Sequence, residues 1–198
     1  MEDGPMWNLP NALSLFRIGM VPVLLGVAIA GHAKLFLAAL ALTLTSDIAD
    51  GYAARKLDQC TALGTRLDSW GDLLTYAVLL PSAALLWPDP VRAEWTWIAL
   101  ALAAFALPTS YGFLKFGQLT SYHTWGAKTS ALLIGPGVLL LLGLGEPILF
   151  RIATGVLTLA ALEEITITTH LDSLRANVPS FLHLRAGRSF VASEASRC

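Results

Sequence analysis

The feature that most constrains this chain is a series of six apolar runs, each close to the length that crosses a lipid bilayer. They cover residues 13–30, 35–49, 73–87, 95–114, 129–144 and 147–168. The segments "GHAK" after the first run, "WPDPVRAEW" after the third and "GLGEP" after the fifth are predicted to be turns. A membrane helix needs about 20 apolar residues, so the second and third runs are long enough only if their helices continue into the charged stretch between them. Charged residues make up 14% of the chain, against about 25% in soluble domains. The sequence predicts an all-α integral membrane protein built as a bundle of six transmembrane helices.

The distribution of Lys and Arg predicts how these helices are oriented. Ten of the thirteen fall on one side of the predicted bundle, and Lys34, Arg92 and Arg151 fall on the other. Because basic residues collect in cytoplasmic loops, both termini and residues 47–72 are predicted to face the cytoplasm. The segment before the first run carries two acids and no base, unlike a signal peptide. We therefore expect a retained first span and a multi-pass protein of the cell (inner) membrane.

Composition and chain length also predict the domain organisation. Residues 1–175 are predicted to form a single membrane domain, and residues 176–198 a short, partly disordered cytoplasmic tail. The net charge of -1 gives no support to nucleic-acid binding, which usually shows as a basic patch. The two cysteines, Cys60 and Cys198, indicate no disulfide framework, and both are predicted to be reduced thiols on the cytoplasmic side.

Residues 47–72 concentrate carboxylates and small side chains at helical spacing. Two consecutive helices would each carry them on one face: Asp47, Asp50, Gly51 and Ala54 on the first, Gly64, Asp68 and Asp72 on the second. Four carboxylates at a membrane edge repel one another and need a compensating cation. Hard oxygen ligands favour Mg²⁺, Mn²⁺ or Ca²⁺, and Mg²⁺ is usually shared with substrate phosphates. The alternatives are a solvated acidic loop and, for the small residues, close helix packing.

These residues form the pattern D-x-x-D-G-x-x-A-R, followed after a spacer of eight residues by G-x-x-x-D-x-x-x-D. The arginine of the pattern is Arg55. The pattern resembles that of the CDP-alcohol phosphatidyltransferase family, integral membrane enzymes of phospholipid synthesis with six transmembrane helices. The resemblance implies transfer of a phosphatidyl group from CDP-diacylglycerol, or a related CDP-alcohol, to an alcohol with release of CMP. It also implies contact with membrane lipids, an active site at the cytoplasmic side and a homodimer.

The resemblance further implies roles for individual residues. The metal ligands would be Asp47, Asp50, Asp68 and Asp72, holding Mg²⁺ or Mn²⁺ as two ions, with Asp72 as the general base. The CDP moiety would be bound by Asp47, Gly51, Ala54, Arg55, Gly64 and Asp68. A guanidinium suits a phosphate because it donates two hydrogen bonds at once. The alternative for Arg55 is an interfacial anchor or an ion-pair partner of Asp58.

The start of the chain bears on the acceptor alcohol. The segment "NLPNALSLFRI" resembles the N-x-P-N-x-L-[ST]-x-x-R opening of phosphatidylglycerophosphate synthases and related cardiolipin synthases. This favours glycerol 3-phosphate, with Asn11, Arg17 and Lys128 as acceptor-binding residues. Those synthases continue after the third aspartate as D-P-x-A-D-K, whereas this chain has D-S-W-G-D. Inositol phosphate, serine and phosphatidylglycerol therefore stay open as acceptors.

Several residues of the sequence, and the protein's function itself, allow a second interpretation. Lys115, His123 and Lys128 form a polar cluster that could bind an acidic acceptor, although cytoplasmic loops are basic for reasons of topology alone. Arg17 could instead extend to lipid headgroups. More remote alternatives are a UbiA-type prenyltransferase, which has more spans and two separate aspartate motifs, and a divalent-cation transporter, whose acids would continue across the membrane. No role is predicted for Glu163 and Glu164.

Overall fold

A computed structural model describes residues 9–57, 62–116 and 125–170. In that part of the chain all regular structure is helical, in seven helices: α1 Leu9–Ile29, α2 Ala33–Leu57, α3 Ala62–Leu86, α4 Pro88–Ala93, α5 Trp95–Phe116, α6 Trp125–Leu144 and α7 Ile148–His170. The predicted all-α class is confirmed. The six apolar runs lie in α1, α2, α3, α5, α6 and α7, and α2 and α3 extend into the charged stretch as predicted. The predicted tail, Cys60, Cys198 and His123 lie outside the described residues.

Within the described residues, two helical segments are long and apolar enough to cross a membrane. They are Asn11–Ile29, with a mean hydropathy of 2.1, and Trp95–Lys115, with a mean hydropathy of 1.6. Only 22% of the apolar stretch is buried in the first segment and 17% in the second. Most of the surface of each helix therefore faces outward, as in a helix surrounded by lipid. Trp70–Leu86 and Lys128–Leu144 are shorter apolar segments. Six crossings and cytoplasmic termini stay predictions.

Four of the long helices contain an internal proline: Pro22 in α1, Pro81 in α3, Pro108 in α5 and Pro136 in α6. A proline inside a helix removes one backbone hydrogen bond and costs about 3 kcal/mol or more in water. Membrane helices tolerate proline because neighbouring helices and local backbone adjustments satisfy the freed carbonyl. The repeated prolines therefore suit the membrane setting that the composition predicts.

Two of the predicted interhelical turns are confirmed, and each depends on a glycine. Gly31, after α1, has a φ of 75°, and Gly145, after α6, has a φ of 73°. This left-handed conformation is open to glycine without steric cost, and it closes a helix by offering an amide to its last carbonyls. The amide of Gly145 accordingly donates to the Leu141 carbonyl at 3.1 Å. The third predicted turn is wrong, because Pro88–Ala93 forms the short helix α4, which begins with a proline pre-set for a first helical position.

The described residues fall into two compact units, and the first contains α1 to α3. In it α1 packs against both α2 and α3. The connection between α1 and α2 is short, so the two helices run in opposite directions and the start of α1 lies beside the end of α2. At the other end of the unit the buried side chains are mostly apolar and include Leu24 and Ala28 of α1 and Phe36 and Leu40 of α2, although Ser82 of α3 is also buried. The ring of Phe36 meets that of Trp87 edge-on, with 5.9 Å between centroids.

The opposite end of this first unit is polar inside. Buried side chains there include Asn11, Ser14 and Arg17 of α1, Thr43 and Ser46 of α2, and Thr75 of α3. The hydroxyls of Thr43 and Ser46 donate to backbone carbonyls of their own helix, at 2.8 and 2.7 Å. Buried polar groups need such partners. This half of the unit, which we call the polar end, therefore has a structured polar interior that lipid packing alone would not require.

The second unit contains α5 to α7, and α7 packs against both α5 and α6. In the first turn of α7, Arg151 donates two hydrogen bonds to the buried carboxylate of Glu94, the residue before α5, at 2.9 and 2.6 Å. These hydrogen bonds hold the pKa of Glu94 below its ordinary value of 4.5. Because the pKa is lowered, this pair stabilises the fold above that pH and loses its contribution as the pH falls through the lowered value.

The contact between α6 and α7 is close because it is made at glycine. A Cβ added to Gly137 would lie 2.9 Å from the Cα and 3.0 Å from the backbone nitrogen of Phe150. These backbone atoms cannot move aside without separating the two helices. We expect Gly137→Ala to lower the melting temperature of the detergent-solubilised protein. Its free energy of unfolding should fall by about 1–3 kcal/mol, the usual cost of overpacking.

The matched control for this prediction is Gly155→Ala in α7, where an added Cβ meets nothing within 4 Å. Alanine is the better helix former by about 1 kcal/mol, so this variant should be as stable as the parent or slightly more stable. Equal melting temperatures for the two variants would contradict the close α6–α7 contact.

Candidate functional site

The centre of the polar end is a buried arginine between two aspartates from different helices. Arg17 of α1 places its Nη2 at 2.7 Å from Oδ1 of Asp47, on α2, and its Nη1 at 2.7 Å from Oδ1 of Asp72, on α3. The Arg17 side chain is 1% exposed, whereas each aspartate side chain is 42% exposed. The structure therefore brings together the first and last aspartates of the sequence motif, which are 25 positions apart.

Gly71 gives the arginine its place beside α3. A Cβ at this position would lie 3.3 Å from Cδ of Arg17 and 3.6 Å from its Nη1. The first of these contacts is tighter than ordinary van der Waals packing and the second is ordinary, so a side chain at position 71 would press on Cδ in the stem of the arginine. The glycine of the D-S-W-G-D segment, noted in the sequence as a departure from related synthases, has a packing reason.

Two further polar residues of this end were not predicted from the sequence. Ser14 is 3% exposed, and Thr75, also 3% exposed, has a hydroxyl with no hydrogen-bond partner among the described residues. Thr75 continues the stripe of Asp68 and Asp72, at i+7 and i+3. That spacing was a signal available in the sequence, but threonine in an apolar run is usually satisfied by its own helix.

The structure assigns the other predicted motif residues to helices without describing most of their side chains. Asp50, Gly51, Ala54 and Arg55 belong to α2, and Asp68 belongs to α3; their side chains lie outside the described part of the structure. Gly64, also in α3, is half-buried. The proposed metal and CDP-binding roles of these residues stay predictions.

The residues predicted to bind the acceptor are placed differently from one another. Asn11 is buried in the polar end, at 2% exposure, and Arg17 contacts the two aspartates. Lys128 is exposed near the start of α6, in the second unit. Lys115, from the same predicted cluster, donates to the carbonyls of Thr168 and Thr169 at 2.8 and 3.1 Å. It therefore caps the end of α7, where a helix dipole favours a cation.

The residues present fit a divalent cation in the kind of ligand they offer. Asp47 and Asp72 present carboxylate oxygens, the ligands that Mg²⁺ and Mn²⁺ prefer, and they already converge on one positive group, the Arg17 guanidinium. Among the described side chains no three acidic, histidine or cysteine residues form a metal cluster. Asp50 and Asp68, the other two predicted ligands, lie outside that comparison.

In its described part the protein is all-helical, with two helices long and apolar enough to cross a membrane and two aspartates from different helices that meet at one buried arginine. The particular family follows from comparison with known proteins. Residues 7–167 match the family of CDP-alcohol phosphatidyltransferases, and the chain belongs to this family. The resemblance found in the sequence motif is thus confirmed.

Curated relatives match part of the chain. The human (Homo sapiens) cardiolipin synthase (CMP-forming) is 33% identical over 96 residues, 48% of this chain and 31% of the human protein. The CDP-diacylglycerol--glycerol-3-phosphate 3-phosphatidyltransferase of Bacillus subtilis is 35% identical over 96 residues, 41% of this chain and 47% of the Bacillus protein. The chain thus spans about a third to a half of the length of these relatives. No solved structure matches it significantly.

Proposed function

We propose that this chain is a phospholipid-synthesis enzyme that transfers a phosphatidyl group from CDP-diacylglycerol, or a related CDP-alcohol, to an alcohol and releases CMP. The observation that carries the proposal is the pair Asp47 and Asp72, held within reach of one guanidinium in a chain of this family. Both aspartates are half-exposed, so a reacting group can approach them. An acidic packing contact without a function would not need that exposure.

The proposed reaction is a displacement at phosphorus. The oxygen of the acceptor hydroxyl attacks the phosphorus next to the lipid, and the bond from that phosphorus to the CMP oxygen breaks with its electron pair. The carboxylate of Asp72 takes the proton of the attacking hydroxyl, as a general base within hydrogen-bond reach. There is little covalent chemistry for the protein to do, so positioning and charge neutralisation carry most of the catalysis.

Charge neutralisation at the diphosphate calls for cations. Mg²⁺ or Mn²⁺, as two ions, supplies positive charge to the diphosphate and the departing phosphate when bound. The carboxylates that would hold it are Asp47, Asp50, Asp68 and Asp72. The CDP moiety would lie against Gly51, Ala54 and Gly64, whose small side chains let a ligand approach the backbone. Asp47, Asp68 and Arg55 complete the proposed CDP site.

For the acceptor we propose glycerol 3-phosphate, the acceptor in the name of the Bacillus relative. Asn11 and Lys128 are the acceptor-binding residues that we propose, and Asn11 lies six residues before Arg17 in the polar end. A second candidate is phosphatidylglycerol, supported by the match to the human cardiolipin synthase, which covers 48% of this chain.

The proposed setting is a multi-pass protein of the cell (inner) membrane with six crossings, cytoplasmic termini and a cytoplasmic active site. Residues 1–175 would form one membrane domain, and two copies a homodimer. The two membrane-length helices and the family support the membrane setting, and the excess of basic residues on one side supports the orientation.

An acceptor panel tests the proposed function. Purified protein in mixed micelles with CDP-diacylglycerol and Mg²⁺ is given glycerol 3-phosphate, phosphatidylglycerol, inositol phosphate, inositol or serine, and CMP release is measured. We expect the highest rate with glycerol 3-phosphate. Release with phosphatidylglycerol alone would select the second candidate. Absence of CMP with every acceptor would refute the proposal, and pyrophosphate release from a prenyl diphosphate would favour a prenyltransferase.

A further inference from the structure

We propose that Arg17 is a positioning residue, an internal counter-cation that holds Asp47 and Asp72 in place rather than binding the acceptor. The part of this inference that concerns catalysis rests on the proposed function of the two aspartates. We call the contact of Arg17 with Asp47 and Asp72 the Arg17 clamp. Its existence rests on the geometry alone, because one buried guanidinium contacts both carboxylates at 2.7 Å.

The packing of the first unit makes α1 the natural source of such a clamp. Both α2 and α3 pack against α1, so a side chain from α1 can reach both helices at once. Arg17 does so at the polar end, where its two terminal nitrogens each bind one helix. The two aspartates are therefore placed relative to each other through α1.

The charge balance gives the clamp its energetic reason. An arginine that is 1% exposed has given up nearly all its contact with water, and this is costly unless its charge is paired and hydrogen-bonded. Two carboxylates on different helices supply the pairing. Without the guanidinium these two negative charges would repel each other across the α2–α3 gap. Lysine, a point charge without a fork, cannot bind two carboxylates with the same fixed geometry.

The same geometry separates a clamp from an acceptor ligand. Both terminal nitrogens of Arg17 contact aspartates, and the side chain is buried, so an acceptor phosphate would have to displace carboxylates to reach it. A clamp predicts that losing the arginine destabilises the unit because of the carboxylates. An acceptor ligand predicts a higher KM for a phosphorylated acceptor and an unchanged fold.

Thermal unfolding in the presence of chelator tests the clamp without any catalytic step. We expect Arg17→Met to lower the melting temperature clearly, and Arg17→Lys to fall between it and the parent. The triple variant Arg17→Met, Asp47→Asn, Asp72→Asn removes the uncompensated charges and should recover most of the loss. Arg92→Met is the matched control, because Arg92 is exposed and forms a loose ion pair with Asp89, at 3.5 Å. The melting temperature of this variant should equal that of the parent.

Two outcomes would overturn the clamp. One is a melting temperature of Arg17→Met equal to that of Arg92→Met. The other is a triple variant no more stable than Arg17→Met, which would assign the effect to packing against Gly71. If Arg17→Met yields no folded protein, the triple variant decides: folding supports the clamp, and failure to fold rejects it.

Kinetics of Arg17→Lys test the positioning role separately. We expect a lower kcat with little change in the KM for glycerol 3-phosphate, because the aspartates are misplaced while acceptor binding is kept. A raised KM with unchanged kcat would instead identify Arg17 as an acceptor ligand. A parent enzyme that releases no CMP with any acceptor would refute the proposed function, while the melting series would still report on the clamp.

Discussion

Asp72→Asn is expected to lower the kcat of the transferase by a factor of about 10² to 10⁴, the range that a positioned general base contributes. Asparagine keeps the size of the side chain but cannot take the proton of the acceptor hydroxyl. One carboxylate also leaves the Arg17 clamp, so the variant must be shown to fold by its melting temperature. The readout is CMP release from CDP-diacylglycerol at saturating acceptor.

The matched control is Asp89→Asn in α4. Asp89 has a 90% exposed side chain and a single loose ion pair, to Arg92, so the same chemical change there should leave the rate unchanged. If folded Asp72→Asn retained a rate within a few-fold of the parent, Asp72 would not be the base, and another group would have to take the proton.

The helices were largely predictable because they depend on local sequence. Apolar runs of near-membrane length gave α1, α5 and α7 directly, and length alone required α2 and α3 to extend into the charged stretch. The prediction was wrong at residues 88–93, where two prolines suggested a turn and the structure has the helix α4. Proline ends a preceding helix but is also well suited to start the next one, and the sequence does not say which effect wins.

The aspartate motif was predictable for the same reason, since its spacing is helical and its pattern is specific. The partner of Arg17 was not. From the sequence, Arg17 was predicted to meet a phosphate, since a buried cation needs an anion, whereas the aspartates that it contacts lie 30 and 55 positions further along the chain. Which anion meets a buried cation depends on how α1 packs against α2 and α3, and periodicity within one helix carries no information on that packing. Gly71 likewise became explicable only once Arg17 was seen beside it.

Removal of divalent cations is expected to stop CMP release completely while leaving the protein folded. The diphosphate of CDP-diacylglycerol brings negative charge to a site already rich in carboxylates, and without Mg²⁺ or Mn²⁺ most of this charge is uncompensated. The fold should survive, because Arg17 already neutralises charge at Asp47 and Asp72. The measurements are CMP release and melting temperature in chelator, before and after Mg²⁺ or Mn²⁺ is restored.

The variants of Arg17 sharpen this expectation. In the parent the rise in melting temperature on adding Mg²⁺ should be modest, since an internal cation already stands between two of the ligands. In Arg17→Met the same addition should give a larger rise, because the ion then relieves carboxylates that have lost their counter-charge. Arg92→Met should respond as the parent does. Full CMP release in chelator would rule out metal-dependent transfer, and equal Mg²⁺ responses in Arg17→Met and the parent would show that the ion and the arginine do not act on the same carboxylates.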